Sequence, residues 1–263
     1  MDAQRIAGTD APETAGTDPR RTAAAGTRTA AAPDAAVEAR TAPATDARTA
    51  AAPDPRQPAA LAELTDRARR LAVPGRRRVL GIVGAPGAGK STLAAQLADS
   101  LGARAALVPM DGFHLAQAEL RRLGRAHRKG APDTFDAAGY AALLTRLRAP
   151  EPGTVVYAPA FDRSLEEPVA GSVPVPPDIP LVITEGSYLL HDEGPWSAVR
   201  ALLDEVWFVD LDPEVRVRRL VDRHVRYGKE RAYAERWVRE SDEANALLVA
   251  RCRDRADLVV RLT

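Results

Sequence analysis

The chain has 263 residues, with 37 Lys and Arg against 36 Asp and Glu and a formal net charge of +1. The two signs are mixed throughout, which excludes a single-sign surface built to hold nucleic acid or an anionic membrane. No apolar run approaches the ~20 residues that span a bilayer, the N-terminus lacks the apolar core of a secretory signal, and the single cysteine, Cys252, cannot form an internal disulfide, so a cytoplasmic protein is expected.

Residues 1–57 are dominated by Ala, Thr, Asp, Arg and Pro, with no aromatic residue and no Leu. The segment Arg28-Thr29-Ala30-Ala31-Ala32-Pro33-Asp34 recurs as Arg48-Thr49-Ala50-Ala51-Ala52-Pro53-Asp54. Such a chain buries too little apolar surface to offset the entropy of ordering its backbone, so a disordered tail is expected here. A folded domain is expected over residues 58–263.

Leu61, Leu64, Ala68 and Leu71 fall at helical spacing, and Pro74-Gly75 ends that helix. The apolar run Val79 to Val83 then reads as a strand. It leads into Gly84-Ala85-Pro86-Gly87-Ala88-Gly89-Lys90-Ser91, followed by Thr92 and a helical pattern to Leu101. This is the spacing of a phosphate-binding P-loop in its proper strand–loop–helix context. Backbone N–H groups and the helix N-terminus would hold the phosphates of ATP. Lys90 would reach the β- and γ-phosphates, and the Ser91 hydroxyl would ligate Mg²⁺.

Further runs at Ala105 to Val108, Leu181 to Ile183, Val206 to Val209 and Leu258 to Val260 are continuous rather than alternating. That pattern belongs to strands buried on both faces of a parallel sheet. Helical patterns at Ala137 to Leu147 and Pro213 to Tyr227 lie between them. The alternation predicts an α/β three-layer P-loop NTPase sandwich with a parallel sheet of about five strands and a helical lid. Three strands run into an acid: Asp111, Glu185 and Asp210. In open parallel sheets ligands bind beyond these strand ends. One acid would hold Mg²⁺ and another would orient an acceptor hydroxyl and take its proton. Asp111-Gly112 and Glu185-Gly186 are the stronger candidates, each glycine allowing a tight turn beside a ligand; Asp210 reads as a turn residue, with Asp212 capping the next helix. Spacing alone does not say which acid is the base. Arg216, Arg219, Arg223 and Arg226 share one helix face, and arginines that close over a nucleotide neutralise charge in phosphoryl transfer. Arg223 is the first choice for that role and Arg219 the second, while Tyr233 and Trp237 read as lid packing.

Beyond these signals the sequence resembles a known family. Lys129-Gly130-Ala131-Pro132-Asp133-Thr134-Phe135-Asp136 resembles a stretch of bacterial type I pantothenate kinases. Asp111-Gly112-Phe113 resembles the segment carrying the catalytic Asp of that family and of uridine kinases, and Tyr157-Ala158-Pro159-Ala160-Phe161-Asp162-Arg163 and Glu185-Gly186 recur in the same order. Pro109-Met110-Asp111-Gly112-Phe113-His114-Leu115 and the stretch Trp237 to Ala246 are similar to the nucleoside/nucleotide-kinase-like branch that includes fructose-transport-kinase-like proteins. The resemblance covers residues 76–263. Ser187 departs from it, where Asn is more usual. The resemblance implies that Asp111 is the general base and Glu185 a Mg²⁺-side acid. It also implies that Phe113, His114, Lys129, Tyr157, Phe161 and Arg163 line the acceptor pocket.

The expected function is transfer of the γ-phosphoryl group of MgATP to a hydroxyl of a small molecule, with nucleoside, pantothenate-like and sugar acceptors all open. A switch GTPase is disfavoured, because guanine is usually read by Asn-Lys-x-Asp and the only asparagine is Asn245. A motor is disfavoured by the lack of a second ATPase-like segment. A nucleotide-binding regulator without an acceptor is the remaining alternative. The sequence expects no nucleic-acid or membrane partner and leaves a homodimer open.

Overall fold

The computed structural model describes residues 56–262. The expectation of a tail therefore falls outside the described residues, except at positions 56 and 57, which begin the first helix. In chain order the elements are α1 (Arg56–Leu71), β1 (Arg78–Gly84), α2 (Lys90–Leu101), β2 (Ala105–Pro109), α3 (Gln117–Arg122) and α4 (Ala137–Arg148). They continue with β3 (Val156–Asp162), β4 (Glu167–Val175), β5 (Leu181–Gly186), β6 (Glu205–Asp210), α5 (Pro213–Arg226), α6 (Arg231–Trp237), α7 (Glu243–Ala250) and β7 (Leu258–Arg261). A π-helical turn, Val238–Asp242, joins α6 to α7.

Five strands form a parallel sheet in the order β2-β5-β1-β6-β7. Its strands are covered on both faces, which explains their continuous apolar runs. Leu80 and Ile82 of β1, Ile183 of β5 and Trp207 of β6 join the core under α1 and α2. Val79 and Val83, Val182 and Phe208 join the core on the opposite face, where α4 supplies Tyr140, Leu143, Leu144 and Leu147. Residues one apart on each strand thus serve opposite layers. The face of α1 read from spacing is the one used: Ala68 is buried, and Leu61, Leu64 and Leu71 pack against the same core. Beyond β6, Asp212 accepts from the backbone N–H groups of Glu214 and Val215 and caps α5, as its position before Pro213 predicts. The helices α5 and α6 share a small core of Leu220, Val221, Ala234 and Val238. No helix among the described residues is long and apolar enough to cross a membrane.

The element that pattern reading missed is an antiparallel hairpin. β3 and β4 form a second sheet of two strands, with a register shift between Ala158 and Ala160. The hairpin packs on the turn after β2. A Cβ at Gly112 would lie 2.3 Å from the Pro159 carbonyl oxygen, and one at Gly186 would lie 2.5 Å from the Met110 Cβ. These two glycines therefore admit neighbouring protein atoms at the turns that carry Asp111 and Glu185. Gly112→Ala should destabilise the fold by about 1–3 kcal/mol through overpacking. Thermal melting checks this, and an unchanged Tm would mean that the hairpin does not sit tightly on this turn.

Candidate active site

The loop between β1 and α2 stands in the strand–loop–helix setting that the sequence predicts. Gly87 and Gly89 have φ of +80° and +99°, backbone that L side chains rarely adopt. Gly89 caps α2 without any side-chain hydrogen bond, so the first N–H groups of that helix have no side-chain acceptor. Such a terminus suits an anion. The Lys90 ammonium curls back and donates to the Ala85 carbonyl at 3.3 Å.

The carboxylates reach this loop by way of the sheet. β5 lies between β2 and β1, and Glu185 pairs in register with Ile82 on one side and Pro109 on the other. The Ser91 hydroxyl donates to Glu185 Oε1 at 3.0 Å. Asp111 follows on the turn after β2, with Arg163 Nη2 at 3.7 Å from its Oδ2. Burial pushes the Lys90 ammonium below its ordinary pKa; Glu185 and Asp111 oppose the shift, while Arg223 and Arg163 add to it. Burial also lifts Glu185 above the usual carboxylate range, reinforced by Asp111 and opposed by Lys90, Ser91 and Arg163. Lys90 and Glu185 thus each oppose the shift that burial imposes on the other. Beside them, His114 Nδ1 lies 2.8 Å from the Asp111 carbonyl oxygen. A carbonyl only accepts, so Nδ1 donates and Nε2 is left as an acceptor. Burial pushes the His114 pKa down, favouring that neutral form.

Two cavities meet at this cluster. The first is bordered by Asp111, His114, Lys129, Phe161, Glu185 and Ser187, among others. The second, of about 530 Å³, runs along Gly87, Gly89, Thr92, Gln96, Arg219 and Leu262, within the usual range for a small-molecule site. Lys90, Ser91, Arg163 and Arg223 border both. Of the loop residues named from sequence, Pro86 borders the first cavity, while Gly84 and Ala88 are buried beneath.

The arginine face divides. Arg223 borders both cavities and Arg219 the second, whereas Arg216 is buried, paired with Glu243 and donating to the Pro86 carbonyl. Arg226 is exposed. Asp210 pairs with Arg253 at 3.3 Å, away from both cavities. Two expected pocket residues lie elsewhere. Phe113 packs edge-on to Tyr140, with ring centroids 5.2 Å apart, and belongs to the core. Tyr157 is 57% exposed. The hairpin register shifts between Tyr157 and Phe161, and only Phe161 meets His114, at 4.8 Å between rings.

Several cavity residues were not singled out from sequence: Tyr188, His224, Lys229, Asp242 and Asn245. His224 Nε2 and Asp242 Oδ2 are 3.0 Å apart, linking α5 to the π turn. Trp237, Asp242 and Asn245 all belong to the Trp237 to Ala246 stretch noted above, so the signal was present without a role attached.

A glycine-rich loop on β1, acids at the neighbouring strand ends and arginines on a covering helix define a P-loop kinase. The family model for the phosphoribulokinase/uridine kinase family matches residues 79–263, and the chain belongs to that family. An ATP-dependent kinase-like protein of Aspergillus versicolor is 40% identical over 147 residues, 52% of this chain and 84% of that protein. A Schizosaccharomyces pombe protein with a provisional uridine kinase name is 36% identical over 172 residues, 62% of this chain and 73% of its own. A crystal structure from Silicibacter sp. TM1040, provisionally described as a fructose transport system kinase, superposes with a TM-score of 0.68 at 36% identity, covering 76% of this chain and 98% of that one.

Proposed function

We propose that residues 58–263 form an ATP-dependent kinase domain that transfers the γ-phosphoryl group to a hydroxyl of a small molecule. The observation that carries this reading is the common wall of the two cavities, made by Lys90, Ser91, Arg163 and Arg223. A nucleotide lying along the P-loop side and an acceptor in the other cavity would meet there. Proximity of this kind removes much of the entropic barrier.

The residues suit each task. The uncapped first turn of α2 and the glycine loop would hold the phosphates. Among the described residues no three Asp, Glu, His or Cys side chains converge as a metal group. The Ser91 hydroxyl and Glu185 carboxylate, 3.0 Å apart, would hold Mg²⁺, which commonly takes one or two protein oxygens and completes its shell with phosphate and water. When bound, Mg²⁺ neutralises phosphate charge and polarises the phosphoryl group. Lys90 and Arg223 would neutralise charge that develops on the transferred oxygens. Asp111, steered by Arg163, would take the acceptor proton. The acceptor O–P bond forms, the bond to the β-phosphate oxygen breaks, and ADP leaves.

Acceptor-dependent ADP release from MgATP tests the reading; release that no hydroxyl compound accelerates would favour a nucleotide-binding regulator instead. Within the site, Glu185→Gln should raise the Mg²⁺ concentration needed for half-maximal rate by about ten-fold. A Mg²⁺ titration at fixed ATP and acceptor reads this directly, and an unchanged midpoint would remove Glu185 from the metal side.

A further inference from the structure

Besides Lys90, two ammonium groups border the first cavity without an ion-paired carboxylate. Lys129, on the loop before α4, donates to the Glu166 backbone carbonyl at 2.6 Å and lies 5.1 Å from the Phe161 ring centroid. Lys229, on the loop between α5 and α6, lies 5.0 Å from the centroid of the Trp237 ring and 5.8 Å from that of Tyr233. Among the described residues neither is ion-paired, although thirteen arginines outside this cavity are paired with Asp or Glu within 4.0 Å. The acids nearby are otherwise engaged or distant: Asp242 holds His224, Asp111 faces Arg163, and Glu185 accepts from Ser91. Glu166 borders the cavity, yet its carboxylate bonds neither lysine. Its φ of +56° is unusual for a residue other than glycine, and its carbonyl is the group that receives Lys129.

The two lysines also repel. Burial lowers the Lys229 pKa, and Lys129 and Arg223 lower it further, against Glu166 and Asp242. Like charges gathered from two separate loops into one cavity are costly unless an anion joins them. That anion is not the phosphate chain of the nucleotide, because Lys129 and Lys229 border the first cavity and not the second.

We infer that the acceptor is itself an anion, a hydroxy compound bearing a carboxylate or phosphate monoester that Lys129 and Lys229 hold while its hydroxyl is presented to Asp111. This rests on the kinase reading and narrows it, since an uncharged nucleoside or free sugar offers these lysines no counter-charge. A carboxylate and a phosphate monoester would satisfy the same two ammonium groups, and the probes separate them.

The test uses the full chain and matched probes: glycerate against glycerol, and fructose 6-phosphate against fructose. Binding is read by tryptophan fluorescence, Trp237 lying beside Lys229, and ADP release is read in parallel. At least one charged probe should bind about ten-fold or more tightly than its uncharged partner. Lys229→Met should erase that preference, and Lys229→Arg should restore most of it. Thermal melting of each variant separates loss of the charge from loss of the fold. If no charged probe is preferred, or if the preference survives in a folded Lys229→Met variant, the inference is overturned. If charged probes bind through Lys229 but none accelerates ADP release, the anion site stands and the kinase reading falls.

Discussion

Asp111→Asn should lower turnover by about 10²–10⁴ while changing MgATP affinity little. The substitution keeps the side chain's shape and a hydrogen-bonding group, but an amide cannot take the acceptor proton. The geometry makes the effect local. Asp111 lies on the turn after β2, bordering the first cavity and not the second, so in the proposed arrangement phosphate binding does not run through it. Its link to Arg163 at 3.7 Å is long enough that losing the charge releases Arg163 without breaking a tight bond. Steady-state titration of MgATP at fixed acceptor measures both quantities. A metal defect in Asp111→Asn, with a pure turnover defect in Glu185→Gln, would reverse the two roles.

Lys90→Ala should lower turnover by about 10²–10³, because a fixed charge is lost where phosphoryl charge develops. Here the cluster adds a second cost. Lys90 is the main opposing influence on the raised pKa of Glu185, so removing it shifts Glu185 further toward its protonated form. The Mg²⁺ requirement should therefore rise along with the loss of turnover. Single-turnover rates at several Mg²⁺ concentrations check both, and full activity in a folded Lys90→Ala variant would remove the core of the mechanism.

The parallel sheet was legible because its strands serve two cores at once. Leu80 and Val79 face opposite layers, so neither β1 nor its neighbours has a polar side to blur the pattern. The P-loop was legible for a different reason: its backbone shape demands glycine at Gly87 and Gly89. The hairpin was hidden by Pro159, Pro168 and Pro174, residues that argue against a central strand. They are tolerated here because a sheet of two strands consists of two edges. The acceptor pocket was only partly legible. Resemblance supplies residue types but not which way a strand turns, and so it brought in Tyr157 along with Phe161. Lys229 joins Lys129 at the first cavity through the packing of α5 on α6 and against the P-loop, a relation that no local spacing expresses.

The separateness of that hairpin bears on how the molecule can change over generations. Its ladder pairs with no strand of the larger sheet, while the glycine loop hangs from β1 in that larger sheet. Phe161 can therefore be exchanged without reopening the strand pairings beneath the P-loop. Inherited variation would find permissive positions on the exposed side of the hairpin, as at Tyr157 and Val169, and an intolerant stretch at Gly84 to Ser91. Drift in what the enzyme accepts could then outpace drift in the chemistry it performs.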